Sequence, residues 1–300
     1  MHFLQREDID CEKWNRLVDQ TPNAQIYNKS FFLDILAENW CIYTDDNYSK
    51  GLVIPYSTKL NVKLAYTPNF IRSFDVLGDD SAGLLSDFIQ KDVFKFKSGN
   101  LIFNVQNNPY LLSNKKYQEI LYMDDFEMNT LSKRMLKKFN SFDYVMEESV
   151  SLDQILTFLK TELFPRINNL KNKDFNLFSE LLKELKKQGV LKTNCVLDKD
   201  HELIAVAVFM EYKNKVTYVK GVATNDSMKN GAMYAVLYNQ IVKSRELHFD
   251  FDFGGSNLDS IAQFYKNLGG KDHYYSSFEW GKLPRYYKFI RGIYHKLSFK

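Results

Sequence analysis

The stretch Leu247–Asn257, LHFDFDFGGSN, decides how the rest of the chain reads. Phenylalanine alternates with aspartate, and the run then turns on two glycines. In an extended strand successive side chains point to opposite faces. Leu247, Phe249, Phe251 and Phe253 are therefore expected on one face, and His248, Asp250 and Asp252 on the other. The phenylalanine face packs on helices. Two carboxylates in a row on the other face need a reason: a turn to cap, a cleft to serve or a metal to hold. His248, Asp250 and Asp252 have no further clustered ligand beside them, so no metal site is assigned.

Working outward, the residues before this stretch form an ordered series. LKTNCVLDKD reads as a strand ending in a polar turn, HELIAVAVFMEY as a nearly continuous apolar strand, and VTYVKGVA as a third. AMYAVLYNQIVKS has Met233, Val236, Leu237 and Ile241 at helical spacing. Continuous apolar strands imply a sheet covered on both faces. The first half repeats the order: CIYTDD, GLVIPYSTKL, VKLAYTPNF, the helix candidate SAGLLSDFIQKDVF, then NLIFNVQ. A duplicated α/β (α+β) fold with mixed sheets follows, with a division expected near residue 145 into domains 1–145 and 146–300. A basic helix, MNTLSKRMLKKFNSF, and an amphipathic one, SLDQILTFLKTELF, flank the division.

Bulk properties set limits. The 300 residues suffice for two domains, and 45% hydrophobic with 26% charged residues suits a folded globular chain. A net charge of +3 demands no polyanionic partner. Cys11, Cys41 and Cys195 are odd in number and widely spaced, which fits neither a disulfide framework nor a zinc site but suits a reducing compartment. Cys41 and Cys195 read as small buried hydrophobes. The N-terminal residues lack an apolar core for a signal peptide, and the longest apolar run, Leu203–Met210, is too short to span a membrane. The expected location is the cytoplasm.

Several residues are candidates for chemistry. In GVATNDSMKNGAM a strand meets a helix N-terminus through Lys229, Asn230 and Gly231, which reads either as an anion site with the first amides at Ala232 or as an ordinary connection. SNLDSIAQFYKNLGG places Ile261, Phe264, Tyr265 and Leu268 on one side of a short helix ended by Gly269.

Here the sequence resembles the GNAT acyltransferases, whose last helix reads like Asn-x-x-A-x-x-F-Y-x-x-x-G; the matching residues are Asn257, Ala262, Phe264, Tyr265 and Gly269, with Ala262 one place late. The FemAB-like branch of that superfamily is the closer likeness. It pairs two GNAT-like domains in one chain and carries a segment like Phe251–Gly269, an inter-domain basic helix like SKRMLKKF, and stretches like IYNKSFFLDILAENW and YTPNFIRSFDVLG.

The resemblance implies a transferase that joins an acyl or aminoacyl group to an amine, in envelope or peptidoglycan precursor modification. The co-substrate is acyl-CoA or aminoacyl-tRNA; the loop SMKNGA lacks the leading Arg or Gln and one glycine of the usual pyrophosphate loop, which leaves the choice open. It also implies a donor cleft between the strands Lys215–Ala223 and Leu247–Phe253, with Gly221, Val222, Lys229, Asn230, Gly231, Ala232 and Asn257 on the donor. Tyr265 is the acid for the leaving group. Asp252 is either the base or a cap for the turn that follows it. Lys137, Lys138 and Arg72 are assigned to an anionic acceptor or to tRNA. The last residues, with Tyr286, Ile290, Ile293, Tyr294 and Leu297 as a stripe and Lys288, Arg291 and His295 off it, read as a docked helix or as a contact for tRNA or an anionic membrane surface. The alternative function is a binding protein that kept the fold without the chemistry.

Overall fold

The computed structural model describes residues 1–79, 81–105, 113–121, 126–167, 170–255 and 258–281, the side chains of 81 and 113–116 excepted. Ser256, Asn257 and the basic C-terminal helix expected around Tyr286 and Arg291 lie outside the described residues. The chain forms two compact units, residues 1–114 with 275–300, and residues 115–274. The sequence reading has one division, at residue 145. Two non-local strand pairings place the divisions elsewhere, because residues after 274 and residues before 121 complete sheets far from them in sequence.

The first unit is built from β1 (His2–Gln5), α1 (Cys11–Gln20), α2 (Ser30–Leu36), β2 (Asn39–Thr44), β3 (Gly51–Lys59), β4 (Val62–Tyr66), α3 (Ser81–Asp87) and β5 (Ser98–Phe103). β1, β2, β3 and β4 pair antiparallel in turn, and β4 pairs β5 parallel. Ser276–Gly281 of the last strand then pairs antiparallel with β5. Gly51–Tyr56 of β3 is buried throughout, as its unbroken apolar sequence requires of a strand covered on both faces. Asp75 anchors a buried polar network: its carboxylate accepts from the Gln25 backbone N–H and the Asn28 amide, each at 2.7 Å, and from the Asn104 amide at 3.0 Å. Four donors and acceptors satisfying one another make such a buried cluster affordable.

The second unit contains β6 (Ser113–Ile120), α4 (Thr130–Phe139), β7 (Val145–Glu147), α5 (Leu152–Phe158), α6 (Asn172–Lys187), β8 (Leu191–Leu197), β9 (Leu203–Tyr212), β10 (Lys215–Ala223), α7 (Asn225–Lys229), α8 (Ala232–Glu246), β11 (Asp250–Asp252), α9 (Asp259–Asn267) and the start of β12 (Lys271–Gly281). β7, β8, β9 and β10 pair antiparallel in turn, β10 pairs β11 parallel, and β11 pairs β6 antiparallel. This is the order of pairings found in the first unit, so the repeat seen in sequence recurs in topology. The core between this sheet and α4, α8 and α9 contains Phe209, Val216, Val236, Leu237, Ile241, Phe251, Phe253 and Leu268, all fully or almost fully buried.

The strand expected over Leu247–Phe253 is shorter than its alternation suggests. α8 runs on to Glu246, and its last carbonyls take the next amides: Leu247 N–H donates to Lys243, His248 N–H to Arg245 and Phe249 N–H to Ser244. His248 has φ +59° and Leu247 is exposed, so neither continues the phenylalanine and aspartate faces. The helix C-terminus satisfies its orphan carbonyls with residues that would otherwise begin the strand.

Among the described residues no helix is long and apolar enough to cross a membrane. Cys41 and Cys195 are buried, and burial pushes both thiols up to about 12.

Candidate active site

β10 and β11 separate after three paired residues. Lys215, Val216 and Thr217 pair with Asp250, Phe251 and Asp252, and the register ends there. On its other edge β10 slips against β9: Tyr218 pairs with Phe209 but Lys220 with Val208, so Val219 forms a bulge. Gly254 follows the end of β11 at φ +76°, and a Cβ there would collide with the Tyr218 carbonyl oxygen. The first glycine of FDFDFGGS is thus needed for a close approach of two backbones. The opening between Tyr218–Val222 and Phe253–Gly255 is a cavity of about 530 Å³, walled also by Met233 and Tyr234 of α8 and by Ile261, Phe264 and Tyr265 of α9. That is an ordinary size for a small-molecule site.

Aromatic contacts fix the wall. The Tyr265 ring stacks on Phe253 at 4.7 Å and 22°, and meets Tyr218 edge-on at 6.3 Å and 82°. Tyr234 meets Phe264 edge-on at 4.8 Å. A Cβ on Gly221 would lie 2.7 Å from the Tyr218 hydroxyl, so that hydroxyl rests over the glycine. Burial raises the Tyr265 phenol pKa, and the negative charge of Asp252 raises it further. Burial also holds Tyr218 well above the usual phenol value, with Tyr265 adding to it. Both phenols are therefore protonated at neutral pH and available as proton donors, not bases.

Asp252 occupies the opposite face of its strand from Phe251 and Phe253, as the alternation requires. It is wholly buried, sits opposite Glu119 of β6, and accepts the Gly254 N–H at 2.8 Å. It caps the turn at Gly254, and it is not among the residues that wall the cavity. Glu119 is as deeply buried. Its pKa is raised, chiefly by burial and then by Asp252, against the opposing pull of Lys215 and His273. Glu119 pairs with the Lys215 ammonium and accepts from the Tyr117 hydroxyl at 3.3 Å.

The expected donor loop is packed against α4. Gly231 has φ +92°, and a Cβ there would collide with the Met135 carbonyl oxygen. Asn230 donates its amide to the Tyr144 hydroxyl at 3.1 Å, and Lys138 donates to the Lys229 carbonyl at 2.9 Å. Ala232 is buried in the core. The cavity side of this connection is formed instead by Met228, Met233 and Tyr234, while Gly221 and Val222 do wall the cavity. Lys137 is exposed on α4. Arg72 lies in the first unit, nearly buried, donating from Nη2 to the Gln25 side chain at 2.7 Å. Asn257 lies outside the described residues.

Two wall residues escaped the sequence reading. Tyr218 and Lys220 sit in VTYVKGVA, where a lysine inside an otherwise apolar strand beside a glycine was the available signal.

No family model matches the chain, and no curated protein matches it in sequence. Its fold does match solved structures. FemX superposes with a TM-score of 0.65 over 92% of this chain and 97% of that one, at 11% identity. L-PGS from Bacillus licheniformis gives 0.60 over 94% and 95%, at 10% identity. A GNAT-family acetyltransferase from Colwellia psychrerythraea gives 0.53 over 93% and 100%, at 9% identity. The chain has the FemX-like, GNAT-type acyltransferase fold.

Proposed function

We propose that the protein transfers an acyl or aminoacyl group from a CoA thioester or a charged tRNA to an amine on a cell-envelope or peptidoglycan precursor, with the cavity between β10 and Phe253–Gly255 as the transfer site. The observation that carries the reading is the buried Tyr265 phenol on the wall of that cavity, held by Phe253 and kept protonated by its surroundings. The amine nitrogen attacks the acyl carbon. A C–N bond forms, and the bond to the thiolate sulfur or ribose oxygen breaks. Tyr265 gives its proton to that leaving group, and the proton released by the amine returns through solvent to the phenolate. The Val219 bulge leaves one residue of β10 without a partner on β9, and its backbone N–H is assigned here as the donor to the developing oxyanion. Asp252 acts through Tyr265 and the Gly254 turn, as a positioning residue.

The test is a transfer assay with acetyl-CoA and with aminoacyl-tRNA in parallel, using a panel of amine acceptors, on wild type and Tyr265→Phe. Transfer from either donor that collapses in the variant supports the reading; transfer that Tyr265→Phe leaves unchanged removes the acid from it. A second reading, a binding protein without chemistry, is favoured by one observation: the loop that would cradle a pyrophosphate spends Gly231 on packing against α4. Donor binding with no transfer to any acceptor selects that second reading.

A further inference from the structure

Among the described residues the cavity has a positive charge with no counter-charge. Lys220 follows the Val219 bulge on β10 and walls the cavity. No hydrogen bond or ion pair holds its ammonium among the described residues. The other cation on the wall, Arg166, is committed: its guanidinium donates to Glu162 at 2.7 Å and to the Ala223 carbonyl at 3.2 Å. Among the described residues no aspartate or glutamate walls the cavity. Their apolar members include Leu163, Ile167, Met228, Met233, Ile261 and Phe264, of which Met228 and Ile261 are also exposed.

A lone ammonium among apolar groups is costly. It has lost much of its hydration and gained no counter-charge. Burial accordingly pushes the Lys220 ammonium pKa below the usual lysine value. An anion brought in by a ligand would recover that loss, and in a desolvated site a charge-assisted hydrogen bond is at its strongest. The apolar wall beside it asks for hydrocarbon on the same molecule.

We propose that the cavity takes an amphiphilic anion, with its carboxylate or phosphate ion-paired to Lys220 and its hydrocarbon part laid against Met228, Met233, Ile261 and Phe264. This selects the acyl-bearing substrate by charge as well as by shape. It rests on the cavity being the transfer site, and it is tested by binding alone, so that a failure of transfer and a failure of anion recognition are told apart.

The probes are decanoate, decyl phosphate, decanol and inorganic phosphate, titrated below their micellar concentrations into the full chain by calorimetry. Wild type, Lys220→Met and Lys220→Arg are compared, each checked for an unchanged thermal melt. Lys220→Met keeps an apolar stem and removes the charge; Lys220→Arg keeps the charge. Wild type should bind at least one of the two anionic probes about tenfold or more tighter than decanol, the scale of a hydrogen bond to a charged group. Lys220→Met should lose that preference while decanol affinity holds, and Lys220→Arg should retain it. A preference for decyl phosphate alone assigns a phosphate headgroup; a preference for decanoate alone assigns a carboxylated acyl chain. Tight binding of inorganic phosphate by itself would overturn the amphiphilic part of the proposal. Equal affinity for decanol and both anions in wild type, or an anion preference that survives in Lys220→Met, would overturn the whole.

Discussion

Asp252 and Glu119 face each other across the antiparallel pair of β11 and β6, two buried carboxylates with the Lys215 ammonium bound to the second. Burial and the Asp252 charge raise the Glu119 pKa, while the Lys215 ammonium and His273 oppose them.

The first prediction follows from that shift. A carboxyl group raised in the folded state binds a proton there that it would release when unfolded. Its contribution to stability is therefore present at low pH and is lost as pH rises through the folded value. Glu119→Gln removes the titration and keeps a carbonyl oxygen for Lys215. The melting temperature of wild type relative to Glu119→Gln should fall as pH rises above about 4, the ordinary glutamate value. Parallel curves for the two proteins would show that Glu119 does not titrate within the fold.

Tyr265→Phe keeps the ring on Phe253 and deletes the proton. Transfer should drop by about two to four orders of magnitude, the usual worth of a general acid. The melting temperature should move by only a few degrees, since the stacked contact remains. Turnover measured under saturating donor reads the chemical step; a rise in KM alone would make Tyr265 a binding residue.

Asp252→Asn separates a base from a positioning residue. The asparagine oxygen still accepts the Gly254 N–H, so the turn should survive. Removing the charge takes away one of the two influences that raise the Tyr265 phenol. Its pKa therefore falls, yet burial still keeps the phenol protonated at neutral pH, so the neutral-pH rate should stay within about tenfold of wild type. A loss of several orders of magnitude in a folded Asp252→Asn protein would restore Asp252 as the base.

Gly231→Ala tests what that glycine is for. The left-handed backbone and the contact with the Met135 carbonyl both penalise a Cβ. Stability of the second unit should fall by more than about 1 kcal/mol with no ligand present. Lys229→Ala, on the same loop but exposed, should leave stability within about 0.5 kcal/mol. If Gly231→Ala melts like wild type and loses only donor affinity, the loop is a ligand cradle after all.

Much of this protein was written in its local sequence. Unbroken apolar runs such as Leu203–Met210 made covered strands, helical spacing placed α8, and the order strand, strand, strand, helix, strand was visible in both halves. Those are short-range signals: periodicity, burial and turn chemistry act within one element and survive without knowledge of its neighbours. The Phe–Tyr pair of α9 and the double glycine after β11 stood out by their likeness to the GNAT pattern, not by local periodicity, and both wall the cavity.

Tertiary structure decided the rest, because the deciding contacts join residues far apart in the chain. Alternation placed Asp252 on the face away from Phe253, but only the pairing with β6 brought Glu119 against it and made its burial deep. Gly231 looked open to a ligand until α4, nearly a hundred residues upstream, closed on it. Leu247–Phe249 alternated like a strand, yet α8 took their amides. The residues that complete each sheet come from beyond its own run of sequence, so no local pattern could announce them. Lys220 lay in plain view inside an apolar strand. What the sequence could not say is that no acid among the described residues of the cavity meets its charge, a property of side chains gathered from β10, α8, α9 and the turn at Arg166.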